Sequence, residues 1–208
     1  MTAHDRLHPN IIVLIAELFD KRMIKFGDFT LKNKSKSPVY VDFRDLPSFP
    51  VVLSLAAKQL LIKFKDEELT GAKLAGLPYA GLPIAVVMGI LGDIPVIYPR
   101  KETKDYGTRK AIEGRFIQDD EVVAIDDLVT DGGAKMDFIH PLRAAGLVVK
   151  HVLVILDREQ GGASTLNNHQ IKLHSLFTLR EAISVGYAHH KITKPQYTTI
   201  MEYLGDKE

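Results

Sequence analysis

Apolar positions along this chain follow two patterns, and the change between them divides it. Near the N-terminus, Pro9 opens a helical period in which Ile12, Ile15, Ala16 and Phe19 share one face at i, i+3, i+4, i+7 spacing. Residues 29–32 and 39–43 read as short strands around a basic turn, Lys32-Asn33-Lys34-Ser35-Lys36. Ser48 is expected to cap a second helix, with Pro50 just inside its start and apolar residues through Leu61. Beyond it, apolar runs at 72–77, 96–98, 122–125, 151–156 and 171–173 alternate with helical patterns at 81–91, 133–145 and 161–168. Continuous β-branched runs between helices predict an α/β fold with a doubly wound, mostly parallel sheet covered by helices on both faces. Ligands of such sheets bind beyond the carboxyl ends of the strands, so the chemistry should lie in the residues that follow each strand.

Composition narrows the picture. The 208 residues suit one domain, and 46% hydrophobic with 25% charged residues is ordinary for a globular chain. Lys plus Arg is 27 against 26 Asp plus Glu, a formal net charge of +1. A near-neutral chain lacks the broad basic surface of a non-specific nucleic-acid binder. Cysteine is absent, which excludes disulfides, thiolate metal sites and a cysteine nucleophile. The longest apolar stretch, about 80–91, is too short to span a membrane and contains Pro83. The run 11–15 ends at Glu17 without a small-residue cleavage site, which argues against a signal peptide. The expected address is the cytoplasm.

Three segments carry chemical content. In the first, the run 122–125 leads into Asp126-Asp127-Leu128-Val129-Thr130-Asp131-Gly132-Gly133-Ala134 and then a helix. Asp126 and Asp127, expected to end the strand, suit a vicinal diol because each can accept a hydroxyl hydrogen bond. Residues 130–134 form a small-residue turn whose backbone N–H groups and helix dipole suit a phosphate. A diol binder followed by a phosphate cradle describes a ribose 5-phosphate site; a solvated acidic pair ahead of a glycine turn fits the spacing as well. In the second, Arg100, Lys101, Lys104, Arg109 and Lys110 crowd a long polar segment after the 96–98 strand. It reads either as a lid that neutralises a polyphosphate or as a solvated loop with Glu102 and Asp105 as partners. In the third, Arg158 follows another apolar strand, placed to clamp a carboxylate or to pair with Asp157 or Glu159.

Together with Phe26-Gly27-Asp28-Phe29-Thr30-Leu31-Lys32, these segments resemble orotate phosphoribosyltransferase, and especially the transferase half of the uridine monophosphate synthases. The resemblance covers about residues 7–204. It implies one phosphoribosyltransferase domain over 1–208, with a core at about 46–175 and a small hood from about 1–45 and the C-terminal part. It implies transfer of the phosphoribosyl group of 5-phosphoribosyl pyrophosphate (PRPP) to orotate, with Mg2+ carried mainly by PRPP. Asp126 and Asp127 would hold the ribose hydroxyls, and Leu128, Val129 and Thr130 through Ala134 would line the 5-phosphate end. Tyr79, Arg100, Lys101 and Lys104 would bind the pyrophosphate and Ala80 and Tyr106 would line the PRPP site, with Lys104 the leading catalytic charge beside Lys101, Asp126 and Asp127. Lys32, the backbone at Tyr40 and Val41, Thr130 and Arg158 would hold orotate. The family works as a homodimer whose lid reaches the neighbouring site. The decarboxylase cluster of the synthases is not found in the sequence, so the chemistry is expected to stop at orotidine monophosphate unless a separate chain supplies the decarboxylase. No nucleic-acid or membrane partner is implied.

Departures from the family pattern bear on affinity. Asp131 replaces a small residue, and its carboxylate should repel phosphate unless it turns outward to cap the next helix. Ala134 lacks a common hydroxyl, Ala80 stands where bacterial relatives often have Lys, and Tyr106 where many have His. Weaker PRPP affinity is expected. A purine-specific transferase of the same fold would have no use for Arg158, and a PRPP-sensing regulator would usually lose the basic loop.

Overall fold

The computed structural model describes residues 7–30, 36–69, 71–101 and 111–205. Chain contacts divide the protein into two units, Met1–Leu55 with Phe177–Glu208, and Ala56–Leu176.

In the first unit, helix α1 (Pro9–Asp20) starts where Pro9 needs no N–H partner and His8 Nδ1 accepts the Asn10 N–H at 3.2 Å. Its buried stripe is Ile11, Leu14, Ile15, Leu18 and Phe19, so the face lies one residue away from the expected Ile12 and Ala16. Two antiparallel strands follow, β1 (Ile24–Thr30) and β2 (Lys36–Val41), each set earlier than the apolar runs suggest. Ladder pairing, rather than hydrophobicity, fixes these ends. Ser48 does not cap the next helix; it closes a 3-10 turn at Leu46–Ser48, and Phe49 precedes α2 (Pro50–Asp66). Near the other end of the chain lie α6 (Leu179–Ala188) and α7 (Lys194–Tyr203). Each opens on a capping box, Thr178 with Glu181 and Thr193 with Gln196. Helix α1 packs on α6 at Gly186, where a Cβ would sit 2.6 Å from the Phe19 ring.

The second unit holds a six-stranded sheet. Its strands are β3 (Lys73–Gly76), β4 (Val96–Pro99), β5 (Ile112–Glu113), β6 (Glu121–Val129), β7 (Val148–Asp157) and β8 (Lys172–Thr178). The order across the sheet is β5-β4-β3-β6-β7-β8. Strand β3 runs parallel to β4 and β6, β6 runs parallel to β7, and β5 is antiparallel to β4. The interleaved helices are α3 (Gly81–Gly92), α4 (Gly133–Ala144) and α5 (Gly162–Asn168). Alternate residues of β3 face opposite ways. Gly76 meets Leu82 and Ala85 of α3, whereas Ala75 joins a cluster with Met136, Ile139 and Leu142 of α4 and Leu166 of α5. Helices therefore cover both faces, which explains why residues 152–156 of β7 are apolar without alternation and fully buried.

Two consequences matter for the site. The order reverses between β3 and β6, making the carboxyl ends of these neighbours the switch point where such sheets bind ligands. And β6 does not end at Asp126 and Asp127 as expected; it continues to Val129 because β7 pairs with it out to Asp157. Among the described residues, no helix is long and apolar enough to cross a membrane.

Candidate active site

Asp126 lies near the carboxyl end of β6 and is only 6% exposed. One of its oxygens accepts the Asp127 N–H at 2.9 Å; the other forms a buried ion pair with the Lys135 ammonium. Asp127 is half-buried, and its own Oδ1 accepts the Leu128 N–H at 2.8 Å. Burial and the adjacent Asp126 charge push the Asp127 carboxyl up to about 7, against the pull of Lys135. The two acids are therefore unlike. Asp126 is locked by a cation, whereas Asp127 titrates near neutrality and can present a hydroxyl-like or a carboxylate oxygen.

Leu128 and Val129 finish the strand, and Thr130-Asp131-Gly132 lead into α4. Gly132 has φ +83°, a left-handed turn that also passes close to α5: a Cβ there would lie 3.1 Å from the Gly162 carbonyl oxygen. Asp131 Oδ1 accepts the Gly133 N–H at 3.0 Å. The carboxylate has thus turned onto the helix start, the orientation that the sequence had left undecided. It occupies one of the amides that an anion would otherwise use, while Ala134 stands exposed beside it.

The second arm is the turn between β3 and α3. Leu77 N–H donates to the Ile125 carbonyl at 2.9 Å, the Pro78–Tyr79 peptide is cis, and Tyr79 is 63% exposed. Ala80 precedes Gly81, where a Cβ would lie 2.1 Å from Ile125 O and 2.8 Å from Asp126 Cα. Only glycine allows this approach, which sets the Tyr79 turn directly against the acid pair. Lys101 Nζ sits 5.2 Å from the Tyr79 ring centroid, a cation–π distance. Tyr79, Arg100 and Lys101 line one pocket of about 330 Å³ with Leu82, Tyr98 and Glu113. Glu113, which the sequence pattern did not single out, accepts from Arg100 Nη1 at 2.8 Å. A larger cavity of about 920 Å³, near Ile112, Phe116 and Ile117, includes none of the candidate residues. Here donor chemistry marks the site better than size.

Arg158 follows β7 and is 4% exposed, with its N–H on the Val129 carbonyl at 3.0 Å. Tyr40 and Val41 belong to the first unit, in β2; the Tyr40 ring lies 5.4 Å from that of Phe29, and its hydroxyl accepts from Arg44 at 3.2 Å. Lys32, Lys104 and Tyr106 lie outside the described residues, as does most of the basic segment. The sequence reading missed Lys135 and Gly81. Lys135 had left a signal: a lysine in the first turn of a helix opposes the macrodipole and asks for a carboxylate partner.

Comparison with known proteins places this geometry among relatives. No family model matches the chain. It is 34% identical over 191 residues to uridine 5'-monophosphate synthase of Bos taurus, covering 92% of this chain and 40% of that one. It is 36% identical over 171 residues to orotate phosphoribosyltransferase of Natronomonas pharaonis, covering 82% of this chain and 96% of that one. Among solved structures, UMP synthase of Leishmania donovani superposes with a TM-score of 0.86 at 34% identity, over 93% of this chain and 42% of that one. The chain thus spans about 40% of the length of the synthases it matches.

Proposed function

This chain belongs to the orotate phosphoribosyltransferase family, and from that premise we propose that it transfers the phosphoribosyl group of PRPP to orotate, forming orotidine 5'-monophosphate and pyrophosphate. One observation carries the reading: the Gly81 contact sets the Tyr79–Arg100–Lys101 pocket beside the Asp126–Asp127 pair at the sheet's switch point. A leaving pyrophosphate and the ribose hydroxyls of one substrate need adjacent sites of opposite charge, and this arrangement supplies them.

In the proposed reaction, the bond from the anomeric carbon to pyrophosphate breaks as an orotate nitrogen attacks that carbon. Charge develops positively on the ribose and negatively on the leaving group. Asp126 and Asp127 would accept hydrogen bonds from the ribose hydroxyls. Thr130 and the amides of the loop would hold the 5-phosphate, with Asp131 weakening that cradle. Lys101, Lys104 and Arg100 would neutralise the departing pyrophosphate, and the loop carrying Lys104 would exclude water. Arg158 would hold orotate by its carboxylate. The acid pair offers hard oxygen donors and Asp126 is already tied to Lys135, which suits Mg2+ held chiefly by substrate and water oxygens. Bound with PRPP, the ion would offset pyrophosphate charge.

The reading extends to a homodimer. Helix α3 is apolar around its whole circumference, and Val86, Ile90 and Leu91 remain exposed, with Ile90 at 77%. A helix of that kind is covered in a working assembly. The enzyme would act in the cytoplasm, and its product would pass to a decarboxylase. The test is loss of orotate absorbance with PRPP and magnesium, repeated with adenine, hypoxanthine and uracil. Orotate alone should be consumed; its persistence would overturn the proposal.

A further inference from the structure

Lys135 is in an expensive position. It sits in the first turn of α4, where the helix dipole disfavours a cation, and it is 9% exposed, where an ammonium loses most of its hydration. Only a strong partner offsets both effects, and the partner is Asp126 Oδ2. The other Asp126 oxygen holds the Asp127 N–H. The carboxylate plane is therefore fixed from both sides, leaving lone pairs on each oxygen for a ligand. The same ion pair ties the end of β6 to the start of α4, across the Thr130–Gly132 turn that joins them.

Charge sharpens the point. Between residues 116 and 142 there are seven carboxylates, Asp119, Asp120, Glu121, Asp126, Asp127, Asp131 and Asp137, and Lys135 is the one lysine or arginine. Three of those acids, Asp126, Asp127 and Asp131, bracket the loop proposed to receive a phosphate. Without Lys135 that loop would meet a polyanion with uncompensated negative charge.

We infer that Lys135 is a positioning residue for the ribose 5-phosphate end of PRPP: it orients Asp126 toward the ribose and offsets the carboxylate that Asp131 brings to the phosphate loop. The inference rests on the functional reading above. Its test uses the full chain as Lys135→Met, Lys135→Arg and the double variant Lys135→Met/Asp131→Ser. Orotate and PRPP are varied separately, melting temperature is recorded, and PRPP–Mg2+ binding is titrated calorimetrically without orotate. Lys135→Met should raise the KM and Kd for PRPP at least tenfold while the orotate KM stays within twofold. Lys135→Arg should remain within threefold of the parent, and adding Asp131→Ser should recover at least threefold of the lost PRPP affinity. Equal rises in both KM values, an unchanged PRPP Kd, or no recovery from Asp131→Ser would overturn it. Should Lys135→Met not fold, Lys135→Gln keeps a polar chain without charge and must show the same PRPP-selective loss. A parent protein that binds PRPP but spares orotate would overturn the functional reading and leave the Kd comparison to decide the role of Lys135.

Discussion

Replacing Gly81 by alanine tests the packing that joins the two arms of the site. The added Cβ would lie 2.1 Å from the Ile125 carbonyl oxygen and 2.8 Å from Asp126 Cα. Both obstacles are main-chain atoms of β6, so no side chain can rotate aside. Reaching even the shortest contact that real Cβ atoms show, 3.0 Å, requires α3 and β6 to separate by roughly 1 Å. The crowded oxygen is also the acceptor of the Leu77 N–H at 2.9 Å, a bond worth about 1 kcal/mol net. Overpacking adds about 1–3 kcal/mol, and alanine at a helix start returns at most about 1 kcal/mol over glycine. The expected net loss is about 2 kcal/mol, a fall in Tm of about 4–8 °C for a chain of this size. Activity should suffer more, because a displacement of about 1 Å at a reacting centre lowers rate about 100-fold. The assay is kcat/KM from orotate absorbance, paired with thermal melting. Gly133→Ala is the control, since its Cβ would meet only Asp131 Oδ1 at an ordinary 3.5 Å; its Tm should stay within about 2 °C of the parent. A Gly81→Ala protein with kcat/KM within threefold and Tm within about 1 °C of the parent would refute the argument that this close approach builds the site.

Three other outcomes are expected. Lys104→Ala should lower kcat about 100-fold while the orotate KM changes less than threefold; unchanged turnover removes Lys104 from the mechanism. Asp127, raised to about 7 by burial and the Asp126 charge, holds a proton in the folded state that the unfolded chain releases near pH ~3.9. Stability should therefore fall as pH rises from about 4 to about 7 and level off above that. Asp127→Asn should gain on the parent in denaturation midpoint between pH 5 and pH 8, and an equal difference at both pH values would count against the raised value. Ile90→Asp, on the exposed face of α3, should convert a dimer to a monomer in sedimentation; a monomeric parent protein would remove the dimer from the proposal.

The segment 122–134 could be read as a strand, an acid pair and a glycine turn into a helix because its parts are covalently adjacent. Residues 152–156 could be read as a buried strand because a strand covered on both faces is apolar without alternation and this run is short and rich in β-branched residues. The six-stranded, mostly parallel sheet with helices on both faces agrees with that reading. Other features depended on partners distant in sequence. The acids lie inside β6 because β7 extends the ladder past them, and no local pattern records how long a neighbour will be. The buried stripe on α1 runs through Ile11, Leu14 and Leu18 in place of Ile12 and Ala16 because α6 and β1, distant in sequence or later in the chain, pack against that side.

By itself, then, the sequence determined the fold class and the kinds of groups available: two acids, a glycine turn at a helix start, and arginine and lysine after neighbouring strands. Periodicity and contiguity are local properties, and those features are local. Tertiary structure alone decided which groups are paired. Lys135 neutralises Asp126, Asp131 takes the Gly133 amide, and Glu113 holds Arg100. It also decided that Gly81 presses the Tyr79 turn against the Asp126–Asp127 pair. The physical reason is that strand order, not chain order, sets these neighbours, and a charge's effect at a site depends on which partners the fold has put beside it.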